Sequence, residues 1–307
     1  MNNLDKYKGI IPAFYACYDE DGNIDIQGVK ELTQYFINKN VKGVYVNGSS
    51  GECIYLSKEE RKELLEAVVE AAGGKLTIIA HVACNNTQDS MELAAHAQSL
   101  GVDAIAAIPP IYFHLPEYSI EEYWNDISSV ADKTDFILYH IPQLAGVELT
   151  ETLFSKMLRN PRVIGVKSSS MPILDIVRFK SVAKKEIIVF NGSDEQYIGG
   201  RMIGADGGIG GTYAVMPDLY LKLENFFTRG EYEPARELQM QLDQIIFEMC
   251  SGRANMYAIA KEILMINEQI NIGSVRKPLT ALTEPDKSIA KSVAHKIQIL
   301  RNDFVEE

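Results

Sequence analysis

DFILYHIPQLAGVELTETLFSKMLRNPRVIGVK, residues 135–167, holds one full period of this 307-residue chain. Asp135–His140 is a short, almost wholly apolar run; Thr150 then caps an amphipathic stretch, and residues 162–167 form a second apolar run. Runs that do not alternate suit strands buried on both faces, as in a parallel sheet with helical crossovers. The pattern extends both ways. GIIPAFYAC (9–17), VKGVYV (41–46), LTIIAHV (76–82) and DAIAAI (103–108) precede it, and EIIVF (186–190) and DGGIGG (206–211) follow. The spacing is mostly about 25 to 35 residues, one βα unit each time.

Helix starts fill the gaps. Ser57-Lys-Glu-Glu60 and Ser119-Ile-Glu-Glu122 read as capping boxes, Thr87 as a further N-cap, and Gly101 as the close of the helix begun near Thr87. Eight strands alternating with helices leave an open doubly wound sheet or a closed barrel. The open sheet usually carries a G-x-G-x-x-G turn after its first strand, and none follows residues 9–17. The prediction is an α/β fold, a (β/α)8 TIM barrel over residues 1–230. Residues 231–250, 254–269 and 286–303 read as helices of a C-terminal three-helix extension, 231–307.

A formal net charge of −12, with the Lys184-Lys185 pair as the densest basic cluster, argues against nucleic acid as a partner. The cysteines at 17, 53, 84 and 250 have no C-x-x-C spacing, fit neither a zinc site nor a disulfide scaffold, and suit a reducing compartment. MNNLDKYKG lacks the layout of a secretion signal, and no run of eighteen apolar residues exists. The expectation is a cytoplasmic protein without membrane contact. The histidines at 81, 96, 114, 140 and 295 form no H-x-x-x-H pair, and nothing in the sequence requires a metal.

Barrel active sites lie at the C-terminal ends of the strands. Lys167 is the one lysine that ends an apolar run; Lys42, Lys75 and Lys185 precede theirs. An amine in an apolar barrel mouth loses solvation, which disfavours the ammonium form and frees the nitrogen to attack a ketone as a Schiff-base nucleophile. A structural lysine paired with a carboxylate is the competing reading. Tyr139 stands 28 residues earlier, at the equivalent point of the neighbouring strand, where a phenol could relay protons. Alone, it would read as a packing tyrosine. GSSGE (48–52) offers backbone N–H groups and two hydroxyls to a carboxylate, or is simply a tight turn. GADGGIGG (204–211) could hold a phosphate, but Asp194 and Glu195 on the preceding loop suit the hydroxyls of a neutral polyol better.

GSSGE, YHIP (139–142) and GVKSSS (165–170), in this order and spacing, resemble the pyruvate-dependent class I aldolases of the dihydrodipicolinate synthase and N-acetylneuraminate lyase superfamily. The likeness runs along the barrel nearly end to end. It implies Lys167 as the Schiff-base residue, Tyr139 as proton relay, and Ser49 and Ser50 as holders of the pyruvyl carboxylate, with no cofactor. The synthase branch usually has an arginine five residues after the tyrosine; here Leu144 stands there, which cannot clamp a carboxylate and is similar to the lyase branch. That branch cleaves N-acetylneuraminate to pyruvate and N-acetylmannosamine. By the same resemblance, Ser169, Gly192, Asp194, Glu195 and Gly211 would bind substrate, and Tyr112 would lie near a subunit contact of a homotetramer. Gly211 replaces a common serine, and CNNT (84–87) looks closer to the synthase branch. An aldolase for another 2-keto-3-deoxy sugar acid or aldehyde is the alternative.

Overall fold

The structure is a computed structural model that describes residues 4–305. Eight strands form one sheet: β1 (Gly9–Pro12), β2 (Gly43–Val46), β3 (Thr77–His81), β4 (Ala104–Ala107), β5 (Asp135–His140), β6 (Val163–Ser168), β7 (Ile188–Asn191) and β8 (Gly207–Gly210). Their order, β1-β8-β7-β6-β5-β4-β3-β2, places the first strand beside the last. The Lys42 amide donates to the Ile10 carbonyl at 3.0 Å, linking the approach to β2 with β1. Each of β2 to β8 is buried along its whole length, which is why these strands carry continuous apolar runs. The fold is the (β/α)8 barrel expected.

The described chain forms two compact units. The first comprises residues 4–11, 42–46 and 77–210 and contains most of the sheet. Its core includes Ile11, Tyr45, Ile79, Ala106, Ile137, Tyr139, Phe190 and Ile209. At the N-terminal ends of the strands, two aspartates tie neighbours together: Asp103 accepts the Ile78 amide at 2.9 Å, and Asp206 accepts the Val189 amide at 2.8 Å. Lys6 and Lys180 pair with these carboxylates at 2.8 and 3.0 Å. The aspartates that begin the runs at 103 and 206 are therefore ladder ends. The second unit comprises residues 12–41, 47–76 and 211–305 and includes the helices Ile26–Asn38, Lys58–Ala72, Pro217–Thr228, Tyr232–Cys250, Met256–Glu268 and Glu284–Phe304.

Two of the expected helix starts are displaced. The capping box at Ser57 forms, the Glu60 amide donating to Ser57 Oγ and the Ser57 amide to Glu60 Oε2. Thr150 likewise caps its helix, and Gly101 follows the helix Thr87–Ser99 with φ +73°. Ser119, however, is not a cap. The extended backbone of Pro116 starts the helix at Glu117, and the Ser119 and Ile120 amides donate to its carbonyl. Thr87 is the first helical residue, and Asn86 caps instead by accepting the Asp89 amide at 2.7 Å.

Candidate active site

Lys167 sits at the C-terminal end of β6, in register with Tyr139 of β5 and Phe190 of β7. Paired residues of a parallel sheet share a face, so the core positions of Tyr139 and Phe190 turn Lys167 to the barrel interior. It is 5% exposed. Its Nζ lies 4.1 Å from the centroid of the Tyr139 ring and 4.4 Å from that of Tyr45. Among the described residues no carboxylate is within ion-pairing reach of it. That removes the competing reading of a salt-bridged structural lysine. Tyr139 meets Tyr45 edge-on at 5.9 Å and His81 at 6.1 Å, so the amine faces an aromatic wall. Aromatic faces attract a cation only weakly.

His140, the other polar end of β5, points the opposite way and packs on Phe179 at 5.5 Å. It accepts the Leu149 amide at Nδ1 (3.2 Å), with Asp175 Oδ2 3.5 Å from Nε2. Burial holds its imidazole below the ordinary range, opposed by the Asp175 charge, so it is a neutral structural group.

Ser169 and Gly192 come together after β6 and β7. A Cβ on Gly192 would lie 2.0 Å from Ser169 Oγ and 2.9 Å from the Ser168 carbonyl, so only glycine fits there. The Ser169 hydroxyl is buried without a hydrogen-bond partner among the described residues, a donor and acceptor for a bound molecule. Asp194 is buried and Glu195 half-buried on the turn after β7. Tyr112 is placed differently: it is 85% exposed, with φ +85°, and its ring stacks edge-on with that of Phe113 at 5.0 Å. Leu144 is also largely exposed.

Ser49, Ser50 and Gly211 belong to the second unit. The GSSGE turn is tight: the Gly51 and Cys53 amides donate to the Gly48 carbonyl and the Glu52 amide to the Ser49 carbonyl. Those three amides are therefore occupied inside the turn, and the backbone cradle expected from sequence narrows to Ser49 and Ser50. Ser50 is buried and its hydroxyl donates to the Tyr257 phenol oxygen at 3.0 Å. Glu52, with left-handed backbone (φ 55°), turns inward to an ion pair with Lys261 at 3.0 Å, both side chains being almost fully enclosed. The same carboxylate accepts from the Arg276 amide at 2.8 Å and the Tyr18 hydroxyl at 3.2 Å. Lys261 also donates to the Ser274 carbonyl at 2.6 Å and lies over the Tyr18 ring. Burial pushes its ammonium below the ordinary lysine range, with Glu52 acting in opposition.

The contact of Tyr45 with Lys167, and in the second unit those of Tyr257 and Lys261 with the GSSGE turn, are not legible in the sequence. An inward aromatic in VKGVYV has the same appearance as core, and Tyr257 and Lys261 lie some two hundred positions from the turn they hold. The two-residue period of any strand, which puts Tyr45 on one face with Gly43, is the signal the sequence offers. No group of three His, Cys, Asp or Glu residues suited to a metal occurs among the described residues, and no described helix is long and apolar enough to cross a membrane.

The profile of the Dihydrodipicolinate synthetase family matches residues 6–297. The chain is 61% identical to N-acetylneuraminate lyase of Mediterraneibacter gnavus over 305 residues, covering 99% of this chain and 97% of that protein. The solved wild-type sialic acid aldolase of Ruminococcus gnavus superposes with a TM-score of 0.97 at 61% identity, covering 98% of this chain and all of that one. A Clostridium difficile structure, CdNal in complex with mannosamine, matches with a TM-score of 0.89 at 29% identity, over 94% of this chain and 99% of that one.

Proposed function

The chain belongs to the dihydrodipicolinate synthetase family, and from that premise we propose that it is a class I aldolase cleaving N-acetylneuraminate to pyruvate and N-acetylmannosamine. The observation that carries this reading is Lys167: enclosed, inward-facing, without a carboxylate partner among the described residues and set between two tyrosine rings. Its amine adds to the C2 ketone of the open-chain sugar acid and expels water, giving an iminium. The C3–C4 bond then breaks, its electron pair running into the iminium to leave an enamine. Tyr139 relays the C4 hydroxyl proton as the aldehyde forms, and the enamine is reprotonated at C3. Water hydrolyses the resulting iminium, releasing pyruvate and the free amine.

The remaining roles follow the chemistry of each group. Ser49 and Ser50, in the turn that leaves β2, hold the pyruvyl carboxylate. The unpartnered Ser169 hydroxyl, the backbone at Gly192, and the Asp194 and Glu195 carboxylates take hydroxyls of the sugar tail. Carboxylates accept from polyol hydroxyls, whereas they would repel a phosphate. A second substrate is favoured by one feature only: Gly211 brings no side-chain hydroxyl to N-acetylneuraminate, which favours another 2-keto-3-deoxy sugar acid. Leu144 provides no cation for aspartate semialdehyde.

We also propose that residues 231–307 serve as an extension to a barrel of residues 1–230, and that the protein works as a cytoplasmic homotetramer. Four free thiols suit a reducing compartment, and exposed Tyr112 and Phe113 offer apolar surface to another subunit. Borohydride added with pyruvate should attach a reduced pyruvyl group to the peptide holding Lys167 and leave Lys167→Ala unlabelled. Unlabelled wild-type protein would refute the Schiff-base chemistry, and turnover of other 2-keto-3-deoxy acids but not N-acetylneuraminate would change the substrate.

A further inference from the structure

Gly211 has φ −75° and ψ −37°, a conformation open to any residue, so its backbone does not explain the glycine. The space around it does. A Cβ there would stand 3.0 Å from Ser50 Oγ and 3.4 Å from both Cε1 and the hydroxyl oxygen of Tyr257. The Ser50 hydroxyl crowds that position, and the phenol borders it at van der Waals contact. The location of the phenol is set on two sides. The Tyr15 hydroxyl donates to the Gly211 carbonyl at 2.6 Å, and the Tyr15 and Tyr257 rings meet at 5.7 Å. On the helix Met256–Glu268, Tyr257 and Lys261 are one turn apart on a common face, and Lys261 is anchored to Glu52, two residues beyond Ser50.

We propose that Tyr257 is a positioning residue for the substrate's carboxylate, its phenol orienting the Ser50 hydroxyl in place of any side chain at 211. The proposal rests on the reading of the GSSGE turn as the carboxylate holder. Hydroxyls rotate, so the pair can reverse direction: Tyr257 donates to Ser50 Oγ, and Ser50 turns its own proton to the incoming carboxylate. A hydroxyl that is accepting a hydrogen bond is the better donor, and it is already aimed. Phenylalanine at 257 keeps the ring and removes the donor.

The test compares Tyr257→Phe, Gly211→Ser and the doubles Tyr257→Phe/Gly211→Ser and Tyr257→Phe/Gly211→Ala, with wild-type trapping at Lys167 by pyruvate and borohydride measured first. Tyr257→Phe should raise the KM for pyruvate in the condensation direction by about two- to tenfold, the worth of one neutral hydrogen bond. kcat and Tm should stay close to wild type. Adding a serine at 211 to the Tyr257→Phe variant should recover much of the loss by returning a hydroxyl beside Ser50, and adding alanine should not. Gly211→Ser alone should weaken binding, because its side chain crowds the Ser50 hydroxyl. An unchanged KM in Tyr257→Phe, equal rescue by alanine and serine, or a fall in kcat and Tm in step with the KM would each overturn the proposal. If wild type is trapped while one of those results appears, only this proposal falls; if wild type is not trapped, the aldolase reading falls with it.

Discussion

Replacing Glu52 with glutamine keeps the shape of the side chain and removes the charge facing Lys261. In the native protein Oε1 accepts from Lys261 at 3.0 Å, while Oε2 accepts from the Arg276 amide and the Tyr18 hydroxyl. The glutamine oxygen stays with the latter two donors, so its NH2 meets the Lys261 ammonium, donor against donor. With 1% of its side chain exposed, Lys261 cannot reach water. Leaving a buried charge unpaired typically costs about 3–5 kcal/mol. The lysine has one escape, release of its proton, which from an ordinary value of 10.5 costs about 5 kcal/mol at pH 7. The expected loss is therefore about 3–5 kcal/mol, a large part of a typical domain's stability. Its pH dependence has a definite sign. Once the folded variant holds Lys261 neutral while the unfolded chain still binds the proton, stability rises with pH, and the deficit should shrink by up to about 1.4 kcal/mol per unit between pH 7 and 9. Urea unfolding followed by circular dichroism at pH 7, 8 and 9 measures both quantities. A deficit under about 1 kcal/mol at pH 7, or one that does not shrink towards pH 9, would refute the reasoning. The double variant Glu52→Gln/Lys261→Met, which removes the stranded charge, should regain most of the stability.

Tyr139→Phe should lower kcat by about 10²- to 10⁴-fold while pyruvate trapping at Lys167 persists, separating proton relay from iminium formation; single-turnover kinetics with mass analysis reads both. Gly192→Ala should displace the Ser169 hydroxyl from beside residue 192, raising the KM for the sugar acid more than that for pyruvate in steady-state assays. Asp286 is the third residue of the helix Glu284–Phe304 and accepts from the amide of its N-cap, Thr283; hydrogen bonding from the Thr283 hydroxyl above all holds its carboxyl down to about 2. A depressed carboxyl stabilises the fold above its unfolded value of 3.8 and ceases to as pH falls towards 2, so thermal melts across that window should fall more steeply for wild type than for Asp286→Asn.

The barrel was legible because burial on both faces leaves a plain mark, short apolar runs at the pitch of one βα unit. Tyr139 and Lys167 were legible for the same reason, since equal offsets along neighbouring runs become adjacency in a parallel ladder. What escaped were features decided by competition or distance. Pro116 starts its helix before Ser119 can cap it, and Asn86 takes the role one residue ahead of Thr87. The partnership of Glu52 with Lys261 joins residues with no common local pattern, and in sequence the glutamate passes for the end of a turn. Tyr45 looks like any core aromatic until the register brings a lysine over its ring.

Asp103 and Asp206 lash adjacent strands together at the rim remote from Lys167. Cohesion and reactivity are thereby assigned to opposite ends of the same staves. Loops at the reactive end can lengthen, shorten or exchange residues without loosening the fastenings beneath. A scaffold built this way can be retuned from one sugar acid to another by changes that never touch its foundations.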